Sequence, residues 1–209
     1  MSKFFDKSFR EILEAAASSS PTPGGGGIAG VVAALGASMT AMVANLTIGK
    51  DKYKSVEPEV QAMLATTNQL IDKLEALVDA DMTAFSQLMD AYRLPKTTPE
   101  EKDFRDATLE TAVKHACDTP LDIARVCLSL LEVTAKLAPI GNKMAVSDAG
   151  VASVVAEAAL NSVLLSVDIN LPLLTDKTYI ETAINEKNML KAKAKAIKEK
   201  TLYIVNERM

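Results

Sequence analysis

The stretch that decides the fold runs from Pro21 to Tyr53, PTPGGGGIAGVVAALGASMTAMVANLTIGKDKY. Four consecutive glycines, Gly24 to Gly27, lead into a run that carries no charged side chain until Lys50. A helix over Ile28–Gly49 is about 33 Å long, enough to cross a bilayer. Its side chains argue against lipid. Ala and Gly give little transfer energy, and Ser38, Thr40, Asn45 and Thr47 interrupt the run. The one comparable stretch, 145–167, contains Asp148 and Glu157. Small side chains let helix axes approach closely. The two segments are therefore read as the central pair of an all-α helical bundle, with no membrane partner.

The totals agree with that reading. The 209 residues fit one domain, 1–209, long enough to bury a real core. Aromatic residues make up 4% and Trp is absent, so the core must be aliphatic. The net charge of −4 excludes a general attraction to nucleic acid. The start MSKFFDKSFREIL is charged and amphipathic, unlike a signal peptide. Cys117 and Cys127 stand ten apart, which is neither a metal nor a redox spacing, and reduced thiols imply a cytoplasmic protein. There is no HExxH, no cysteine cluster and no Ser/His/Asp set, so no metal is expected.

Outward from the glycine run, a short helix is predicted over Phe5–Ala17, broken by SSSPTP. A long third helix runs from Ser55 and Pro58 to about Tyr92. Its stripe of Val60, Leu64, Thr67, Ile71, Leu74, Val78, Asp81, Phe85, Leu88 and Tyr92 steps by three and four, the seam of a packed helix. Thr98-Pro99-Glu100-Glu101 is a capping box that starts a fourth helix, expected to end near Cys117. Thr119-Pro120 is expected to restart or kink the path, with a fifth helix over Leu121–Leu137. A sixth follows from about Met144 to Val167, and Asp176 caps a last one to about Val205. No strand pattern is apparent.

The polar residues that break these patterns are the candidates for chemistry. GGGG lacks the GK[ST] ending of a phosphate loop. It is either a tight bend or, because it opens a buried helix, a place where free N–H groups and the helix dipole hold negative charge. Asp81 lies on the apolar stripe itself, whereas Asp79 is about 200° away and can face water. A buried carboxylate is costly unless paired, or its pKa rises. Asp81 is thus a carboxylate paired to a neighbouring helix, a residue where the stripe surfaces, or a general acid or base. Lys50 either complements the end of the second helix or binds an anionic group at the mouth of a site. Asn45, in the apolar zone, either is structural or orients a ligand. Ser147 and Asp148 cap the sixth helix or face the same pocket as Asp81. His115 is read as incidental. The lysines of the last helix form a solvated face or attract a polyanionic tail.

PTPGGGG (21–27), MVANLTIGKDKY (42–53), DADMTAF (79–85), TPLDIA (119–124), GNKMAVSDAGVA (141–152) and INLPLL (169–174) together resemble the formiminotransferase-cyclodeaminase C-terminal family. That resemblance covers nearly the whole chain. It implies an all-helical homodimer with a folate site near the glycine loop, a tetrahydrofolate derivative as substrate and no tightly bound cofactor. Gly24, Gly25, Gly26, Lys50, Tyr53, Asp81, Asn142, Ser147 and Asp148 fall in its motifs. Gly27 and Ser166 depart from it, many relatives having Ser and Asn there. The implied activities are hydrolysis of 5,10-methenyltetrahydrofolate to 10-formyltetrahydrofolate, or release of ammonia from formiminotetrahydrofolate. Asp81 and Lys50 are the expected catalytic pair, and the glycines, Asn45, Tyr53, Asn142, Ser147 and Asp148 the binding set. A non-catalytic folate-binding or scaffold dimer is the alternative of another class.

Overall fold

Residues 4–209 are described by a computed structural model, and among them every regular element is a helix. The α-helices are α1 (Phe9–Ala17), α2 (Gly25–Thr47), α3 (Glu57–Arg93), α4 (Pro99–Leu137), α5 (Val146–Asn170) and α6 (Lys177–Arg208). The expected first helix is shorter than its pattern. Phe4–Asp6 forms a 3-10 turn, and α1 begins only after Ser8, which makes a reciprocal capping box with Glu11. Thr98 and Glu101 form the second such box, at α4, and the Asp176 side chain accepts the Tyr179 N–H at α6.

α2 to α5 form the core, and α6 packs across α4 and α5. α2 and α5 run antiparallel at the centre. Gly36 lies against Val155, where an added Cβ would stand 3.1 Å from its Cγ1, and Ala33, Ala37, Ala152, Ala156 and Ala159 are buried between neighbouring helices. Larger aliphatics, Ile123, Leu130, Leu131, Leu160 and Leu164, fill the outer core. Each contributes about 1.5–3 kcal/mol by leaving water. One polar contact crosses the centre: Thr134 Oγ1 donates to Leu130 O, so its lone pairs receive the Thr40 hydroxyl at 2.7 Å.

Two expectations change. Of the restart or kink expected at Pro120, the restart does not occur, because α4 runs through it to Leu137. An interior proline removes one backbone hydrogen bond and costs about 3 kcal/mol. Here, however, Pro120 is buried, its flanks are anchored by Cys117, Leu121, Ile123 and Ala124, and the carbonyl it leaves free finds a partner in α5. Asp79 does not simply face water: its Oδ1 accepts the Phe4 N–H at 3.0 Å and ties the N-terminal turn to α3.

By length and composition, Gly25–Thr47 and Lys143–Leu173 are each able to cross a membrane. In the fold, protein covers 61% of the first apolar window and 50% of the second. What α5 leaves uncovered is one stripe, Val151, Val154, Leu165 and Ile169, with exposures of 50, 44, 67 and 74%.

Candidate functional site

Gly26 and Gly30 lie four residues apart on one face of α2, and α3 packs directly on them. A Cβ at Gly30 would fall 2.5 Å from Val78 Cγ2. A Cβ at Gly26 would fall 2.7 and 2.8 Å from the two oxygens of Asp81. Val78 and Asp81 are three apart on α3, so the seat of Val78 over Gly30 fixes the register that lays Asp81 against Gly26. The glycines are needed here for close approach. None of Gly24–Gly27 has positive φ.

Asp81 also completes the helix beneath it. Gly24 is the N-cap of α2 and has no side chain to offer, so the first amides lack a local acceptor. The Asp81 carboxylate arrives from α3 over this first turn, near enough to the Gly27 N–H for that amide to favour its charged form. Burial raises its pKa above the ordinary aspartate value, and the Gly27 N–H opposes that rise. No cation forms an ion pair with it among the described residues. A half-buried carboxyl with a raised pKa and no fixed counter-ion is suited to taking up and giving back a proton.

The carboxylate opens into a cleft of about 180 Å³. Pro21, Thr22 and Gly24–Gly26 form one wall, and Asp81, Phe85 and Leu88 of α3 another. Ala116 of α4 and Ser166, Ile169 and Asn170 of α5 close it. Apolar faces with a few polar groups suit a flat, partly polar ligand.

Of the residues expected at the site, Gly24, Gly25, Gly26 and Asp81 meet in this cleft, and Gly27 sits just beneath, with a Cβ there 3.7 Å from Asp81 Oδ2. Lys50, Asn45, Tyr53, Asn142, Ser147 and Asp148 do not line it. They gather at the other end of α2, about 34 Å of helix away. Lys50 and Asn45 are exposed there. Asn142 ties the turn together: its N–H donates to Thr47 Oγ1 at 2.8 Å, its Nδ2 to Leu46 O at 2.8 Å, and its Oδ1 accepts the Met144 N–H at 3.0 Å. The Tyr53 hydroxyl accepts the Lys143 N–H at 2.9 Å. The expectation that Ser147 and Asp148 share a pocket with Asp81 is therefore not met within one chain. The reason is direction: α5 runs antiparallel to α2, so its small-residue start lies at the far end. His115 is exposed. The two cysteines are buried free thiols, pushed by burial to about 12.

Ser166 and Asn170 are cleft residues that the pattern of α5 did not single out as ligands. The signal was present in INLPLL, which carries Asn170, but its partner lies 54 residues earlier.

Comparison with known proteins follows the same lines. Residues 8–189 match the family model described as formiminotransferase-cyclodeaminase. The chain is 39% identical over 204 residues to a methenyltetrahydrofolate cyclohydrolase of Methylorubrum extorquens, covering 98% of each. It is 33% identical over 190 residues to the formimidoyltransferase-cyclodeaminase of Rattus norvegicus, covering 91% of this chain but 35% of that protein. The crystal structure of formiminotetrahydrofolate cyclodeaminase from Thermotoga maritima superposes with a TM-score of 0.87 at 30% identity, covering 96% of both chains.

Proposed function

The chain belongs to the formiminotransferase-cyclodeaminase family, and from that premise we propose that it hydrolyses 5,10-methenyltetrahydrofolate to 10-formyltetrahydrofolate. The observation that carries the reading is the Asp81 carboxylate, half-buried on the glycine floor of a cleft. It occurs in a chain similar along its whole length to a cyclohydrolase.

The substrate's bridging carbon is cationic. Water adds to it, forming one C–O bond, and Asp81 accepts a proton from that water. The carbon–nitrogen 5 bond then breaks, its electron pair stays on nitrogen 5, and Asp81 returns the proton there. The remaining hydroxyl proton leaves to solvent as the formyl C=O forms. One proton is released overall. While ionised, Asp81 also stabilises the cation beside it. Tetrahydrofolate derivatives are the substrate in this reading, with no tightly bound cofactor. The two reduced thiols fit a cytoplasmic protein.

The second reading, formiminotetrahydrofolate cyclodeaminase, is favoured by the likeness to the Thermotoga structure. It uses the same groups, with nitrogen 10 as the attacking atom and ammonia as the leaving group. One pair of assays on the purified chain separates them. Methenyltetrahydrofolate absorbs light and its hydrolysis product does not, so loss of absorbance supports the hydrolase. Ammonia released from the formimino compound supports the deaminase. Binding of both folates without turnover of either would leave a folate-binding scaffold.

The same reading makes the protein a homodimer. Its support is the exposed α5 stripe from Val151 to Ile169, an apolar face along a central helix. A two-fold contact along that stripe is self-complementary, and with the axis perpendicular to α5 it sets the two α5 helices antiparallel. The start of one α5 then lies by the end of the other. Lys50, Ser147 and Asp148 of the partner subunit would approach the Asp81 cleft, which gives those distant motifs a place at the site that one chain does not.

A further inference from the structure

Two motifs that the proton-transfer chemistry does not use, TPLDIA and INLPLL, meet at one hydrogen bond. Pro120 lies inside α4 and has no N–H. The Ala116 carbonyl, which residue 120 would otherwise satisfy, is left without its helical partner. Asn170, the last residue of α5, donates Nδ2 to that carbonyl at 2.9 Å. Ala116 and Asn170 both line the Asp81 cleft.

A side-chain amide has donors on one side and a single acceptor oxygen on the other. With Nδ2 held by Ala116, a flip would set Oδ1 against another acceptor. The orientation of Oδ1 is thereby fixed. Among the described residues no donor bonds Oδ1, and it is not sealed from solvent. Beside the Thr22 and Ser166 hydroxyls, the residues lining the cleft include two acceptors of different character on different helices. One is the titratable carboxylate of Asp81 and the other is the neutral amide oxygen of Asn170. Phe85, Leu88 and Ile169 supply apolar surface in the same cleft.

We propose that Asn170 binds the substrate, its Oδ1 accepting an N–H from the aminopyrimidine edge of the reduced pterin, and that Pro120 positions Asn170 by leaving the Ala116 carbonyl open. The assignment rests on the folate reading above. A neutral acceptor suits the pterin edge, which keeps its protons throughout, while the carboxylate is kept for the reacting centre. The interior proline then has a function: it gives up a helix hydrogen bond so that a side chain on another helix can be oriented.

Steady-state kinetics with methenyltetrahydrofolate, together with thermal melting, test both parts. Asn170→Ala should raise KM by about tenfold, the discrimination expected for one polar contact, and change kcat less than about threefold. Pro120→Ala supplies a backbone N–H that competes for the Ala116 carbonyl. It should raise Tm and yet raise KM by about threefold or more. A purely structural proline would raise Tm and leave KM alone, so an unchanged KM in Pro120→Ala overturns the positioning role even if Asn170→Ala fails to fold. Normal wild-type turnover with KM within twofold in both variants overturns the whole assignment and leaves the folate reading standing. Failure of the wild type to bind or turn over either folate overturns the folate reading, and the assignment falls with it.

Discussion

Replacing Gly26 by Ala probes the contact on which the site is built. The new Cβ would stand 2.7 Å from Asp81 Oδ1, 2.8 Å from Oδ2 and 3.0 Å from Cγ. Ordinary contact for such a pair begins near 3.4 Å, so the carboxylate must retreat by about 0.7 Å (3.4 minus 2.7). The backbone at Gly26 has ordinary φ, and the three nearest atoms all belong to the end of one side chain. The fold should tolerate the change, and Ala at a helix position even recovers up to about 1 kcal/mol of chain entropy. Catalysis should not tolerate it, because misplacing a reacting group by about 1 Å can cost about a hundredfold. The expected result is a loss of about 10–100-fold in kcat/KM, or about 1.4–2.7 kcal/mol at the transition state, with Tm within a few degrees of wild type. The assay is the fall in methenyltetrahydrofolate absorbance. The route is checked in an Asp81→Asn background, where Gly26→Ala should cost little more. A full additional loss there, or wild-type kcat/KM in the single variant, would refute the reasoning.

Three further outcomes follow from the same geometry. Burial holds the Asp81 pKa above its unfolded value, so its contribution to stability is full below the unfolded pKa and is lost as pH rises through the folded one. Asp81→Asn should therefore melt above wild type near neutral pH, with the difference shrinking toward zero in acid; a difference that grows in acid would contradict this. Gly30→Ala drives a Cβ to 2.5 Å from the buried Val78 Cγ2 and should destabilise by about 1–3 kcal/mol in urea titration, the opposite balance to Gly26→Ala. Leu165→Glu places a charge in the exposed α5 stripe and should halve the mass seen by sedimentation while lowering activity; an unchanged oligomer would count against the stripe as the interface.

The helices were legible because their signals are local. Three- and four-residue spacing marked α3, Thr98/Glu101 carried a capping box, and small residues marked the central pair, whereas the Ser8/Glu11 box that starts α1 went unread. Asp81 was legible for the same reason: it violates its own stripe. A separate fifth helix was expected after Pro120 because a helix break is a local rule, whereas the compensation lies in α5 and in buried neighbours on either side. Lys50, Ser147 and Asp148 seemed to share a pocket with Asp81 because motif order says nothing about helix direction. Antiparallel packing of α2 and α5 places them at the opposite end of the chain's core. Asn170 escaped notice because its role depends on a carbonyl freed elsewhere.

The most direct test is turnover of methenyltetrahydrofolate by Asp81→Asn, measured beside its far-ultraviolet circular dichroism. The amide keeps the size and an acceptor for the Gly27 N–H but cannot shuttle the proton. The expected result is a fall in kcat of at least about a hundredfold with the helical spectrum intact. Near-normal turnover by a well-folded Asp81→Asn would contradict the central claim.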